Sequence, residues 1–324
     1  CRERGFQFEG INDVIGNKER EPDETFIEQL NLPFKPRDYQ LDAFRTAVQY
    51  GRQLLLSPTA SGKSLIIYLL ARYYNKKTII IVPTTSLVEQ MAKDFIDYGY
   101  GEDICKIYSG QPVFDAPITI TTWQSFAKAP KDVMQSFDVV VGDEAHLFKA
   151  VSLTKIMTKL VDCKYRIGLT GTLDGAHTHK LVLEGLFGAV NKVTSTKKLM
   201  DKKQLSNLAV RCLILKHSDA NCKMISNGKY QAEIDYLVSS NARNNFIRNL
   251  ALKIKGNTLV LFQLVEKHGQ NLYDIIKDKA DAKRKVFYIF GGVEADEREA
   301  IRLSLIHISE PTRPLYISYA VFCL

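Results

Sequence analysis

Lys63 is the residue whose neighbours give it a chemistry. It stands near the end of Leu54-Leu-Leu-Ser-Pro-Thr-Ala-Ser-Gly-Lys-Ser64, where an apolar run stops at a turn of small residues. Apolar residues then recur at 65, 66, 69, 70 and 73. That pattern reads as a buried strand, a phosphate-sized loop and a helix. Pro58, Thr59, Ala60, Ser61, Gly62, Lys63 and Ser64 would surround an anion at the positive end of the helix macrodipole, with backbone N–H groups turned into the concavity. Lys63 would reach the β- and γ-phosphates of a nucleotide, and the Ser64 hydroxyl would complete the shell of a Mg²⁺ ion. The first glycine of G-x-x-x-x-G-K-[ST] is replaced by Ser57, followed by Pro58. Taken alone, the stretch is read equally well as a Ser/Gly-rich turn that contains Gly-Lys-Ser.

A second stretch decides between these readings. Phe137-Asp-Val-Val-Val-Gly-Asp143-Glu144-Ala145-His146 is a β-branched run followed by two acids. Such a run fits a strand covered on both faces, and open α/β sheets place ligands at the C-terminal ends of their strands. Asp143 is placed to hold Mg²⁺ through water, and Glu144 to orient and deprotonate an attacking water. An acidic pair after a strand can also simply cap the next helix. Together, and in this order, the two motifs imply a P-loop core that hydrolyses a nucleoside triphosphate with Mg²⁺.

The elements needed to position these groups follow from the rest of the pattern. Runs at 78–82, 104–108, 118–121, 137–141 and 166–169 are strand-like and alternate with helix-like stretches such as 87–98 and 152–160. The alternation predicts an α/β fold with a doubly wound parallel sheet. Pro36-Arg-Asp-Tyr-Gln40 opens an amphipathic helix through Ala43, Phe44, Ala47 and Val48. Gln40, just ahead of the loop strand, has the donor and acceptor to pair with an adenine edge; the same residues also read as an ordinary polar helix start. Turns at Pro83-Thr84-Thr85, Tyr108-Ser109-Gly110 and Thr121-Thr122-Trp123-Gln124-Ser125 offer hydroxyls, free N–H groups and one indole. They suit contact with a nucleic-acid strand that ignores its sequence, or are plain polar turns with Trp123 in the core.

The 324 residues allow two domains, and 45% hydrophobic with 25% charged residues is a globular composition. Lys and Arg total 44 against 36 acids, a net charge of +8, which leans towards a polyanionic partner. No run approaches the roughly 18 apolar residues of a membrane span. The chain begins Cys-Arg-Glu-Arg without a methionine, so the expectation is that residues precede it; no signal peptide is read. Cysteines at 1, 105, 163, 212, 222 and 323 are too scattered for a C-x-x-C metal pair or a disulfide framework and read as thiols of a cytoplasmic protein.

Arg37-x-Tyr39-Gln40, 57–64, Val82-Pro83-Thr84, 121–125, Asp143-Glu-Ala-His146 and Leu169-Thr170-Gly171-Thr172 together resemble the ordered motifs of the first motor domain of superfamily 2 helicases. Within that superfamily the chain is similar to the phage UvsW-type DNA helicases over about residues 5–303. The resemblance implies a P-loop, RecA-like domain and a partial second RecA-like domain, with the host cytoplasm as location. It implies that Gln40 reads adenine in a pocket shaped by Arg37 and Tyr39. It further implies that His146, Thr170, Gly171 and Thr172 couple the γ-phosphate to the bound strand. Pro83, Thr84, Thr85, Gly110, Thr122, Trp123 and Gln124 would line the strand track. The implied partner is DNA, branched or single-stranded, and the implied activity is ATP-driven strand separation or translocation. An RNA helicase and a nucleotide-gated DNA-binding module are the alternatives.

The expected organisation is a remnant of an upstream domain plus linker at 1–30, a first motor domain at 31–204, a partial second one at 205–303 and a non-native tail at 304–324. Residues 209–215 and the β-α-β pattern spanning 257–290 mark the second domain. The tail resembles a translated sequencing adaptor and is expected to stand outside the fold. No Q-x-x-G-R-x-x-R run occurs in 205–324, so this chain is expected to bind ATP and DNA but to hydrolyse slowly.

Overall fold

The computed structural model describes residues 25–108, 115–147, 150–160, 162–173, 177–205, 210–226 and 228–293, with residues 297, 301 and 320–323. Gly110, residues 1–24 and most of the tail lie outside them. Two compact units are present, Cys1–Leu208 and Ala209–Leu324.

In the first unit, α1 (Thr25–Gln29) and α2 (Asp38–Tyr50) precede β1 (Arg52–Leu56) and α3 (Lys63–Tyr74). The chain continues with β2 (Thr78–Val82), α4 (Thr85–Asp97), β3 (Ile104–Ile107), β4 (Ile118–Thr122), α5 (Trp123–Phe126), α6 (Lys131–Gln135) and β5 (Val139–Gly142). After a 3₁₀ turn at Ala145–Leu147 come α7 (Ala150–Lys159), β6 (Tyr165–Thr170), α8 (His177–Phe187), β7 (Val190–Lys192) and α9 (Thr196–Asp201). The strands form one seven-stranded sheet of order β3-β4-β2-β5-β6-β1-β7. Every pairing in it is parallel, as the alternating pattern predicts.

The period-2 alternation of the strands divides the core between two faces. Leu55, Ile80, Val139, Val141, Ile167 and Leu169 pack with α2, α3 and α4, whereas Leu54, Ile79, Ile81 and Val140 pack on the opposite face with Phe126, Met134, Ile156, Leu183 and Phe187. Helix α2 buries Gln40, Ala43, Phe44, Ala47 and Val48, one stripe of i, i+3, i+4 spacing. Helix α3 buries residues on all sides because it lies between the sheet and α2. Strand β7 and helices α5 and α6 were not foreseen; three to five residues carry too few periods to be read.

The second unit contains α10 (Asp219–Ser226), α11 (Tyr230–Ser239), α12 (Asn241–Lys253), β8 (Thr258–Leu261), a π turn at Val265–Gly269, α13 (Gln270–Lys279), β9 (Val286–Ile289) and β10 (Ala320–Cys323). Strands β8 and β9 flank β10, each antiparallel to it, so β8-α13-β9 is the β-α-β pattern expected from the sequence. Residues 210–217 form no strand, and Val210, Leu213 and Ile214 are exposed. One expectation is corrected. The end of the tail does enter a sheet, because backbone pairing is indifferent to the origin of an apolar Ala-Val-Phe-Cys run. No described helix is long and apolar enough to cross a membrane.

The end of α8 supplies a test of the packing. Gly188 follows that helix at φ +117°, and a Cβ there would stand 2.5 Å from the Arg52 carbonyl oxygen. Gly188→Ala should destabilise the unit by on the order of 1–3 kcal/mol in urea unfolding. Gly185→Ala, where a Cβ meets nothing within 4 Å, should leave the midpoint unchanged or slightly higher. Equal midpoints for the two variants would refute this packing.

Candidate functional site

The C-terminal edge of the parallel sheet brings the motifs together. Leu56 at the end of β1 is in register with Thr170 at the end of β6, and Gly142 of β5 with Gly168 of β6. The Ser57 N–H donates to the Thr170 carbonyl at 2.8 Å, extending the ladder into the loop. Ser57 and Ser61 are buried, and their hydroxyl oxygens lie 2.6 Å apart, so the residue replacing the first glycine cross-braces the loop. The brace was missed because a departure from a motif carries no geometric signal. Ala60 and Gly62 adopt left-handed φ values of 67° and 78°, the conformation that turns successive N–H groups towards an anion.

Turning those N–H groups inward leaves loop carbonyls facing outward, and buried carbonyls need donors. Gln40 supplies them, its amide nitrogen donating to the carbonyls of Ser61 at 2.9 Å and Gly62 at 3.2 Å. Its amide oxygen accepts the Arg37 N–H at 2.9 Å. Arg37 donates to the Tyr39 hydroxyl at 2.7 Å, which donates to the Ser61 carbonyl at 3.0 Å. The three residues expected around adenine thus bracket the loop. Gln40, expected to face a base edge, turns both ends of its amide inward.

Lys63 forms an ion pair with Glu144, their side chains 10% and 21% exposed. Glu144 reaches it from a left-handed backbone, φ 49°, which swings its carboxylate back over the sheet edge. The other carboxylate oxygen accepts the Gly171 N–H at 3.4 Å and lies 3.5 Å from His146 Nδ1. His146 Nδ1 is 2.7 Å from the Thr170 hydroxyl, which is 2.7 Å from the Thr172 carbonyl and donates its one proton there. The hydroxyl therefore accepts from His146, which fixes the proton on Nδ1 by network logic. Lys63, Glu144, His146, Thr170, Gly171 and Thr172 form one connected chain.

Asp143 is buried, its carboxylate accepting the Glu144 N–H at 3.0 Å. Burial pushes its carboxyl up to about 6; Lys63 pulls it back, Glu144 adds to the rise and the Glu144 N–H lowers it again. A buried, under-compensated carboxylate and the Ser64 hydroxyl are hard oxygen donors and fit Mg²⁺, which takes few protein ligands and completes its shell with water and phosphate oxygens. Among the described residues no group of three or more His, Cys, Asp or Glu could hold a metal unaided. The Ser64 hydroxyl lies 2.8 Å from that of Tyr98, a residue the sequence gave no reason to select.

The expected strand-track residues are scattered along the sheet edge rather than joined. Thr84 accepts the Leu87 N–H at 3.4 Å and Thr122 the Ser125 N–H at 3.3 Å, so both hydroxyls cap helices. Thr84, Thr85 and Gln124 are exposed, Pro83 is partly so, and Trp123 packs half-buried against the second core cluster.

A parallel sheet carrying this loop, this acid pair and the Thr170-Gly171-Thr172 turn defines a P-loop motor domain. The family model of the type III restriction enzyme res subunit matches residues 33–175. The ATP-dependent DNA helicase UvsW of Enterobacteria phage T4 is 34% identical over 336 residues, covering 96% of this chain and 65% of that protein. One crystal structure of UvsW from the phage is 36% identical with a TM-score of 0.52 over 59% of this chain and 74% of that one. A second is 32% identical with a TM-score of 0.53 over 95% and 64%. The chain belongs to the superfamily 2 helicases of the UvsW type. It spans just under two thirds of the curated phage T4 protein.

Asp143 gives the site a measurable pH dependence. Its folded pKa is raised from 3.8 to about 6, so between those values the folded state holds the proton more tightly than the unfolded chain. The contribution of this group to stability therefore falls as pH rises through that window. In metal-free buffer Asp143→Asn should stabilise the unit above the window by on the order of 1–3 kcal/mol and give no gain below it. Thermal denaturation in EDTA on either side of the window checks this; an equal effect at both pH values would contradict it.

Proposed function

We propose that this chain is the motor core of an ATP-dependent DNA helicase or translocase acting on branched DNA. The observation that carries the reading is the unbroken contact chain from Lys63 through Glu144 and His146 to Thr170 and Gly171. It joins the group that would hold the γ-phosphate to the turn that would report its presence. DNA as the polyanion is supported by the phage relative, a DNA helicase by name. The net charge of +8 agrees with it.

In this reading residues 31–204 are the first motor domain, against whose core Phe26 and Ile27 of α1 pack, and 205–303 are part of the second. The γ-phosphate would compete with Glu144 for the Lys63 ammonium. Glu144, released, holds a water and takes its proton. His146 follows Glu144 and shifts its hydrogen bond at Thr170, which passes the change to the nucleic-acid side. Ser64 and Asp143 would hold Mg²⁺, which when bound would neutralise phosphate charge. Arg37, Tyr39 and Gln40 keep the loop in its cradle shape, and a base edge would have to draw Gln40 away from Ser61 and Gly62. Arginines from a complete second domain are worth about 10³–10⁵ in rate, and the run that would supply them does not occur in 205–324, so turnover by this chain is slow.

Lys63→Ala should abolish tight Mg·ATP binding and lower the melting temperature, since Glu144 loses its ion-pair partner, and Glu144→Gln should retain nucleotide and lose hydrolysis. Steady-state ATPase with forked DNA, duplex DNA and RNA checks the substrate class. Stimulation by RNA alone would replace this reading with an RNA helicase, and nucleotide binding without strand separation by a completed protein would replace it with a passive binder.

Trp123 tests the strand track. Trp123→Ala should weaken single-strand DNA binding by about 1–3 kcal/mol per folded molecule. Lost thermal stability with unchanged affinity would assign Trp123 wholly to the core.

A further inference from the structure

We propose that Tyr98 is a positioning residue for the cation: its hydroxyl accepts a hydrogen bond from the Ser64 O–H and so leaves the Ser64 lone pairs turned towards Mg²⁺. The inference rests on the ATP site proposed above. A serine hydroxyl has one proton and two lone pairs, and an oxygen that ligates a cation through a lone pair must send its proton elsewhere. Among the described residues the Tyr98 hydroxyl, 2.8 Å away, is the hydrogen-bond partner of Ser64 Oγ.

The position of that acceptor is set by packing. Tyr98 caps the C-terminus of α4, its N–H donating to the Asp94 carbonyl at 2.9 Å. Its ring meets Tyr68 of α3 edge-on, with centroids 5.4 Å apart and planes at 68°, and Phe34 at 5.5 Å and 83°. Tyr68 is in turn buried against Phe95 of α4 at 5.2 Å. Ser64 and Tyr68 are four residues apart on one face of α3, so the contact that fixes the ring lies one turn from the hydroxyl the ring serves. Helix α4 also begins at Thr85, in the turn assigned to the strand track, so the helix that would touch DNA at one end carries the Ser64 partner at the other.

Groups that orient a metal ligand typically contribute 10–100-fold to metal affinity. The test titrates MgCl₂ against a fluorescent ATP analogue bound to the full chain, and measures binding of the same analogue in EDTA. Tyr98→Phe keeps the ring contacts and removes only the hydroxyl. It should raise the half-saturating Mg²⁺ concentration roughly tenfold while leaving affinity in EDTA and the melting temperature unchanged. Ser64→Ala should give an effect of the same sign, and the double variant should be no worse than Ser64→Ala alone, because Tyr98 acts through Ser64. An unchanged Mg²⁺ requirement in Tyr98→Phe overturns the inference. So does a loss of equal size in Mg²⁺ and in EDTA, or an additive double variant. A wild-type chain that binds no nucleotide under either condition overturns the ATP-site reading together with it, whereas wild-type binding with Tyr98→Phe indistinguishable from it overturns this inference alone.

Discussion

The ion pair between Lys63 and Glu144 ties together two segments that lie 81 residues apart in sequence. Both side chains are largely withdrawn from water, and breaking such a pair by removing one partner leaves an uncompensated charge. The site holds one formal positive charge, on Lys63, against two formal negative charges, on Glu144 and Asp143. Lys63 contacts Glu144 directly, so the imbalance is borne by Asp143, whose carboxyl is pushed up by burial. In the proposed function a Mg²⁺-bound triphosphate would answer both demands at once, offering Asp143 a cation and Lys63 a second anion. The exchange of partners at Lys63 is the event from which the proposed water activation and coupling would follow.

That pair exists because β1, β6 and β5 are neighbours in the sheet and end at the same edge. Their register is fixed by the apolar pattern: Leu54 and Leu55 point to opposite cores, and a slip of one residue would exchange them. Parallel pairing then delivers the phosphate loop, the acid turn and Thr170 side by side, with every strand running the same way. At this edge left-handed backbone falls at Ala60, Gly62 and Glu144. Left-handed φ at the two non-glycine positions costs stability, and ladders on both sides of each strand hold them there.

The second unit lacks this over-determination. Its buried cluster is Ala251, Phe262, Leu272 and Ile276, and its sheet has three strands, the middle one drawn from the distal end of the chain. Val210, Leu213, Ile214 and Leu261 remain exposed. A sheet of few strands leaves edges and an apolar face to be covered by whatever pairs with them.

The sequence by itself determined the fold class, the order of the main strands and helices, the phosphate loop and the acid pair. Each is written in a local signal: a period of two or 3.6, or a turn whose small residues admit an anion. It could not determine partners, because partnership depends on which strand ends meet across the sheet. Gln40 had the right groups for a base edge, yet the loop carbonyls of Ser61 and Gly62 take its amide. Thr84 and Thr122 had the right hydroxyls for phosphate, yet each caps the helix that follows it. Tyr98 had no signal at all, since its hydroxyl meets Ser64 only through the packing of α4 on α3. Local sequence states what a group can bond to; the tertiary structure decides which of its possible partners arrives first, because buried polar groups must be satisfied where they stand.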